Sequence, residues 1–336
     1  MQELRSLIGQ HFAFAHGRMG VLRHMLLTQA DVDRLLGAHS LKETENILTE
    51  LKLTDIIDQG ISDGHSMLEA IGAWMRREVE VMSHPIHRVI FHILWLQEDA
   101  PLLALLLKQH HNLTRERTEE PTIGISAYDP VALQTLVHKG VSGTLPSHLV
   151  AFVEQVKAFD QPSPRTVDTA IANYIANLQL RLARASGSFA IRRFVTHQID
   201  LMNIRTALRL RDEDRKASLP YLLAGGTVSR TGLAGNEKEI ATAIARSPMG
   251  FSLPADSSET FADPIAFEQA AAHIMAADIS AMWNVPLSIE PLFAFAAMTL
   301  SHLRLVRTIL IAKANAIGPQ EIKRMLPPFI SATRFL

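Results

Sequence analysis

The chain has 336 residues and a mass of 37.2 kDa, above the size at which one hydrophobic core keeps growing, so two or three packed units are expected. Its 47% hydrophobic and 20% charged residues exclude a disordered or collagen-like chain. Lys and Arg number 33 against 34 Asp and Glu, which removes the basic excess expected of a nucleic-acid binder, and the absence of Cys removes disulfides, thiolate metal sites, Fe–S clusters and a Cys nucleophile.

At the N-terminus, Glu3 and Arg5 with His11, His16 and Arg18 close behind leave no uninterrupted apolar run, so no secretory signal is expected. The most apolar windows are 89–96, broken by His92, and 291–303, broken by His302. Both read as shorter than the roughly 20 apolar residues of a bilayer span, so a soluble chain is expected. Leu, Ala, Ile and Met recur at a period near 3.6 without sustained alternation of β-branched residues, which predicts an almost entirely helical protein. Gly and Pro punctuate it at Gly60 and Gly64, Pro121 to Gly124, Gly140 to Pro146, Pro162 to Pro164, Gly225 to Gly235 and Pro248 to Pro254.

An internal repeat organises these helices. An apolar residue followed by an acid opens a helical run at Leu68-Glu69, Val167-Asp168 and Phe267-Glu268, spaced by 99 and 100 residues. Breaks follow at Pro85, Gly187 and Pro286. Second helices then carry a common stripe that begins at Asp99, Asp200 and His302, spaced by 101 and 102. Each unit reads as short helices leading into a helical hairpin with antiparallel arms, and a period near 100 suits three small helical domains better than a solenoid. The expected units are 1–112, 113–218 and 219–336.

Asp200 shares a helical face with Ile204 and Ala207, which places it toward the core. An unpaired carboxylate there is costly, so a partner such as Asn203, Arg205, Arg181 or Arg184 is expected, with a structural role.

Several short motifs resemble the C-type subunit (d-type in eukaryotes) of the V/A-type rotary ATPases. Phe14-Ala15-His16-Gly17-Arg18 resembles that family's N-terminal Tyr-x-Asn-Ala-Arg, and Leu26-Leu27 with Asp31 to Leu36 its next helix. Asp200-Leu201-Met202-Asn203-Ile204 with Leu208-Arg209 is similar to its Asp-x-x-Asn-Ile/Leu element, and Gly225-Gly226 to the glycine pair after it. Leu303 to Leu326, with Arg307, Lys313, Gly318, Glu321 and Ile322, is similar to its C-terminal helix, turn and helix. The chain departs from the pattern at His16 in place of Asn, at Leu102 in place of the first Asn and at His302 in place of a Glu. The resemblance implies an all-α fold of three similar units in a pseudo-threefold funnel, and a non-catalytic central-stalk adaptor without cofactors, metal or small-molecule substrate. It further implies that the shaft enters the hollow, that the opposite side rests on the membrane proteolipid ring, and that the protein is cytoplasmic and peripheral to the membrane.

Other chemistry fits the residues less well. Glu80, His84 and His87, with His92 beyond, would share a face of a continuous helix as metal ligands might, but Pro85 interrupts it; a metal-dependent enzyme built on His84, His87 and His92 is the alternative reading. Zinc-protease, P-loop, dinucleotide and nucleophile-elbow patterns are absent. A helical protein-binding scaffold is a third reading. His110-His111 and the charged run Arg115 to Glu120 read as a solvated unit boundary. Arg192, Arg193, Arg304 and Arg307, near the second hairpin arms, are candidate partner contacts, and Asp200 and Asn203 are candidate buried structural polar groups.

Overall fold

The computed structural model describes residues 2–58, 60–114, 125–210, 212–253, 263–326 and 329–331, with side chains from Phe12 onward except at 212 and 213. Every regular element among them is helical, as the composition and period require. A leading helix α1 (Gln2–Leu22) precedes two short helices, α2 (Gln29–Gly37) and α3 (Leu41–Thr49), then α4 (Gly64–Met82), a 3-10 segment (Pro85–Phe91) and α5 (His92–His110). The order recurs with α6 (Pro130–Lys139), α7 (Ser147–Lys157), α8 (Pro164–Ala185) and α9 (Phe189–Leu208). After α10 (Asp212–Arg215) it recurs again with α11 (Arg230–Leu233), α12 (Glu237–Ala245), α13 (Pro264–Trp283) and α14 (Glu290–Ala314), and α15 (Pro319–Met325) follows. The charged run 115–120, the expected break Pro121 to Gly124 and residues 254–262 lie outside the described residues.

Local chemistry sets the helix starts. Asp63, Ser163 and Asp263, one hundred residues apart, cap α4, α8 and α13 by accepting from the N–H of Ser66, Thr166 and Ile265. Pro164 and Pro264 then occupy the first turn, where a missing N–H costs nothing. Thr28 with Asp31 and Asn236 with Glu239 form reciprocal capping boxes for α2 and α12. Gly187, at φ +71°, ends α8, and Ser188 caps α9 immediately after it, which makes the tight turn between those arms.

The long helices close into a ring. α8 packs on α9, and α13 on α14, as hairpins. Between segments, α5 packs on α8, α9 on α13 and α14 on α4. The first pair is a correction to the hairpin expectation: α4 and α5 make no extended contact, because the seven-residue 3-10 segment holds them apart and each packs on a neighbouring segment instead. Two hydrophobic clusters form where a second arm meets the short helices and first arm that follow it. One joins Leu103 and Leu107 of α5 to Leu133, Val153 and Ile171; the other joins Ile204 of α9 to Leu233, Ile240 and Phe267.

The largest cluster runs along α14 and reaches the turn end of the ring, where Phe293 of α14 meets Phe91 at 6.2 Å and Phe194 of α9 at 5.5 Å between ring centres. Each of the three follows its own break, and none is more than 3% exposed. Buried aromatic contacts of this kind add about 1 kcal/mol each to the burial of the rings.

By composition, the stretch 85–110 and α14 are long and apolar enough to cross a bilayer, with mean hydropathies of 1.5 and 1.3 over their best windows, contrary to the shorter runs expected from the sequence. Their apolar faces are used inside the fold, 56% and 72% of those windows being buried. α14 is apolar nearly all round because it is enclosed by α1, α3, α4, α9 and α13.

Candidate functional site: the hollow between the hairpins

At the end of the ring away from the turns, the long helices enclose a hollow of about 1120 Å³. α8 lines it from Asp168 to Gln179, α9 from Gln198 to Arg209 and α13 from Pro264 to Met275, with α5, Arg304 of α14 and the end of α15 completing the wall. The small side chains of Ala100, Ala104, Ala172, Ala176 and Ala272 leave the space open. Three glutamines, Gln97, Gln179 and Gln198, line the end nearest the turns. Gln97 and Gln198 bond each other at 3.1 Å, and Gln179 donates to the carbonyl of Ile93 at 2.6 Å.

The rim is laced by ion pairs across the ring joints. Arg205 of α9 grips Glu268 of α13 through two bonds of 2.5 and 2.6 Å. That hydrogen bond, aided by the charges of Arg205 and Arg209, holds the Glu268 carboxyl below its usual range against the opposing effect of burial. Lys108 of α5 meets Asp168 of α8 at 2.7 Å. Asp168 and Glu268 are the acids of the repeated apolar-acid motif, whose apolar partners Val167 and Phe267 lie in the core. The motif therefore pins one arm to the preceding one at two of the joints.

Asp200 is fully buried, and its carboxylate accepts from Thr227 N at 3.0 Å, Thr227 Oγ1 at 2.7 Å and Val228 N at 3.0 Å. This corrects the expected partners: neither an arginine nor Asn203 satisfies it, since the chain downstream folds back over α9 and offers backbone donors. Gly225, at φ +100°, and Gly226 allow that approach, and a Cβ on Gly226 would run into Asp200 Oδ1. Asn203 holds Leu223, accepting from its N–H at 2.7 Å and donating to its carbonyl at 2.9 Å.

Equivalent anchors occur on the other second arms. Asp99, 2% exposed, accepts from Ala127 N at 3.0 Å, and burial pushes its carboxyl up to about 7. His302 Nε2 bonds the carbonyl of Ile330 at 2.8 Å; burial pushes the ring down to about 4, so it is neutral and donates at that nitrogen. Thus Asp99, Asp200 and His302 each hold backbone 27 or 28 residues further on. The repeat in the sequence points to these three positions but not to their partners, which are backbone groups without a side-chain signal.

The four candidate arginines separate. Arg193 donates to Asp278 at 2.8 Å, beside a 2.7 Å contact from His197 Nδ1 to the same carboxylate, and so clasps α9 to α13. Arg304 spans to Glu98 of α5 at 2.5 Å and Gln97 at 3.2 Å. Arg192 is exposed over the ring of Phe189 at the turn end, and Arg307 is half-buried on α14. His16, the departure in α1, accepts from Leu287 N at 3.1 Å and ties α1 to the turn before α14, where Leu287 has φ +52°.

The histidine group does not assemble as ligands. His84 caps the 3-10 segment by accepting from Ile86 N, His87 lies against Phe12, and His92 turns toward Trp95 and Tyr128. Among the described residues no three His, Asp or Glu side chains are grouped to hold a metal ion. His111 is engaged by its bond to the carbonyl of Val156 at 2.9 Å.

The polar anchors of this all-helical fold are spent on backbone, and its hollow is walled by ion-paired helices. The family model for the ATP synthase (C/AC39) subunit matches residues 15–325, nearly the whole chain, and the protein belongs to that V/A-type ATP synthase family of C/d-type subunits. It is thereby a component of a membrane-associated rotary ATPase. No curated protein sequence matches it significantly.

Proposed function

We propose that the protein is the non-catalytic central-stalk adaptor of its ATPase. The hollow receives the foot of the rotating shaft, the opposite end rests on the membrane proteolipid ring on the cytoplasmic side, and the adaptor transmits torque between ATP turnover and proton or sodium transport. The observation that carries this reading is that all three segments contribute a long arm to one hollow. Three cyclic joints, three capping residues one hundred apart, three phenylalanines meeting at the turn end and three anchors with the same return support copies arranged about a pseudo-threefold axis, with sequence units 1–112, 113–218 and 219–336. Arg192, beside the exposed Phe189, and Arg307 remain candidate contacts for a partner.

The test is to fill the hollow. Ala172→Trp and Ala272→Trp place indoles into it from two walls. The double variant, checked for unchanged helicity, is expected to lose binding of the purified shaft subunits at least 100-fold while still associating with the proteolipid ring. Undiminished shaft binding would overturn the socket reading.

A further inference from the structure

The hollow's dimensions and charge specify what enters it. Each of α8, α9 and α13 lines it over a span of twelve residues, whose eleven steps at the helical rise give a depth of roughly 16 Å. A volume of about 1120 Å³ over that depth leaves a cross-section of roughly 70 Å², close to that of one α-helix about 10 Å across. Small-molecule sites occupy about 300–1,000 Å³ and bury most of their ligand around a few convergent polar groups. This hollow exceeds that range, and its apolar alanine and isoleucine walls run its full depth.

Its charge is uneven. Six ionisable side chains line it, and four of them are neutralised within the fold: Asp168 by Lys108, Arg205 and Glu268 by each other, and Arg304 by Glu98. Arg209, at the outer end of the α9 wall, and Arg324 on α15 are exposed and form no ion pair among the described residues. The inner end, by contrast, is uncharged apart from the compensated Arg304, with its glutamines already engaged.

Resting on the socket reading, we infer that the hollow accepts a single helix end of the shaft whose tip is uncharged and whose acidic side chains form a collar roughly ten residues back, level with the rim. The apolar wall holds the tip by burial. Arg209 and Arg324 meet the collar, steering the approach and fixing how far the helix enters.

Binding of the purified shaft subunits to the full chain, measured from 50 to 500 mM salt, tests this. The wild type is expected to weaken at least 10-fold over that range. Arg209→Glu with Arg324→Glu should weaken binding at least 30-fold at low salt and remove the salt dependence, while Arg209→Lys with Arg324→Lys should stay within 3-fold. Salt-insensitive wild-type binding, or charge reversal without effect, would overturn the acidic collar; if the two tryptophans still block binding, the socket itself stands. Saturable binding of inorganic phosphate that displaces nothing but is lost in the charge-reversed variant would assign the arginines to a small anion and likewise overturn it.

Discussion

The second and third hairpins hold the chain that follows them by opposite means. On α9, Asp200 accepts three hydrogen bonds from Thr227 and Val228, and Asn203 adds two more to Leu223. On α14, His302 gives one bond to Ile330, leaves Nδ1 without a partner among the described residues, and lies 4.9 Å from the ring of Phe329. Hydrogen bonds to a charged group are each worth about 1.5–3 kcal/mol, neutral ones about 1, so the same architectural task is performed with very different strength. A position that must only grip backbone tolerates inversion of polarity, provided the returning chain offers a carbonyl in place of N–H groups.

The largest expected effect follows from removing the stronger grip. Asp200→Ala strands the buried N–H of Val228 and the partly buried N–H and hydroxyl of Thr227, and should destabilise by about 4 kcal/mol in chemical denaturation. His302→Ala, which strands a single carbonyl, should cost about 2 kcal/mol. Equal losses would show that the anchors are not differently loaded. Between the two falls Gly226→Ala, about 3 kcal/mol, because the added methyl must displace Asp200 or the returning stretch of chain. If Gly226→Ala combined with Asp200→Ala costs no more than Asp200→Ala alone, the glycine serves that approach.

Smaller, and of opposite sign, are the pH responses of the first and third anchors. Asp99 has a folded pKa of about 7, above its unfolded value, so its contribution is complete below about pH 4 and is lost as pH rises through 7. His302 has a folded pKa of about 4, below its unfolded value, so its contribution is complete above about pH 6.5 and is lost as pH falls through 4. Each slope is at most about 1.4 kcal/mol per pH unit, and between pH 4 and 6.5 they oppose one another. Unfolding free energies across that window should therefore fall on acidification in Asp99→Asn and rise in His302→Gln. The same slope in both variants would break the pairing.

The helical class, the breaks at Pro85, Gly187 and Pro286, and the buried places of Asp200 and Asn203 were legible in the sequence, because period and punctuation are local properties. The partners of Asp200 were not, since they are backbone donors 27 and 28 residues away that no side-chain inventory reveals. The caps Asp63, Ser163 and Asp263 were legible in principle as residues before Gly64, Pro164 and Pro264, but the apolar-acid pairs that mark the repeat begin four or five residues further on and do not point to them. The separation of α4 from α5 depends on where a seven-residue 3-10 segment steers the chain, which tertiary packing decides. The hollow is likewise a product of closure, its alanines indistinguishable in sequence from those of any helix.

The smallest expected effect concerns Arg304, which closes the third arm onto the first. Its side chain is 44% exposed, Glu98 only 13%, and the pair faces solvent on one side. An ion pair of this exposure contributes about 0.5 kcal/mol, so Arg304→Ala should lower stability by no more than about 1 kcal/mol once its contact with Gln97 is counted. Because Glu98 already neutralises it, its loss should also change shaft affinity by less than 2-fold, in contrast to Arg209 and Arg324. If Arg304→Ala instead weakened the shaft complex 10-fold while Glu98→Gln strengthened it, the inner end of the hollow would be a charged contact, and the distinction between an uncharged tip and an acidic collar would have to be redrawn with acids at both levels.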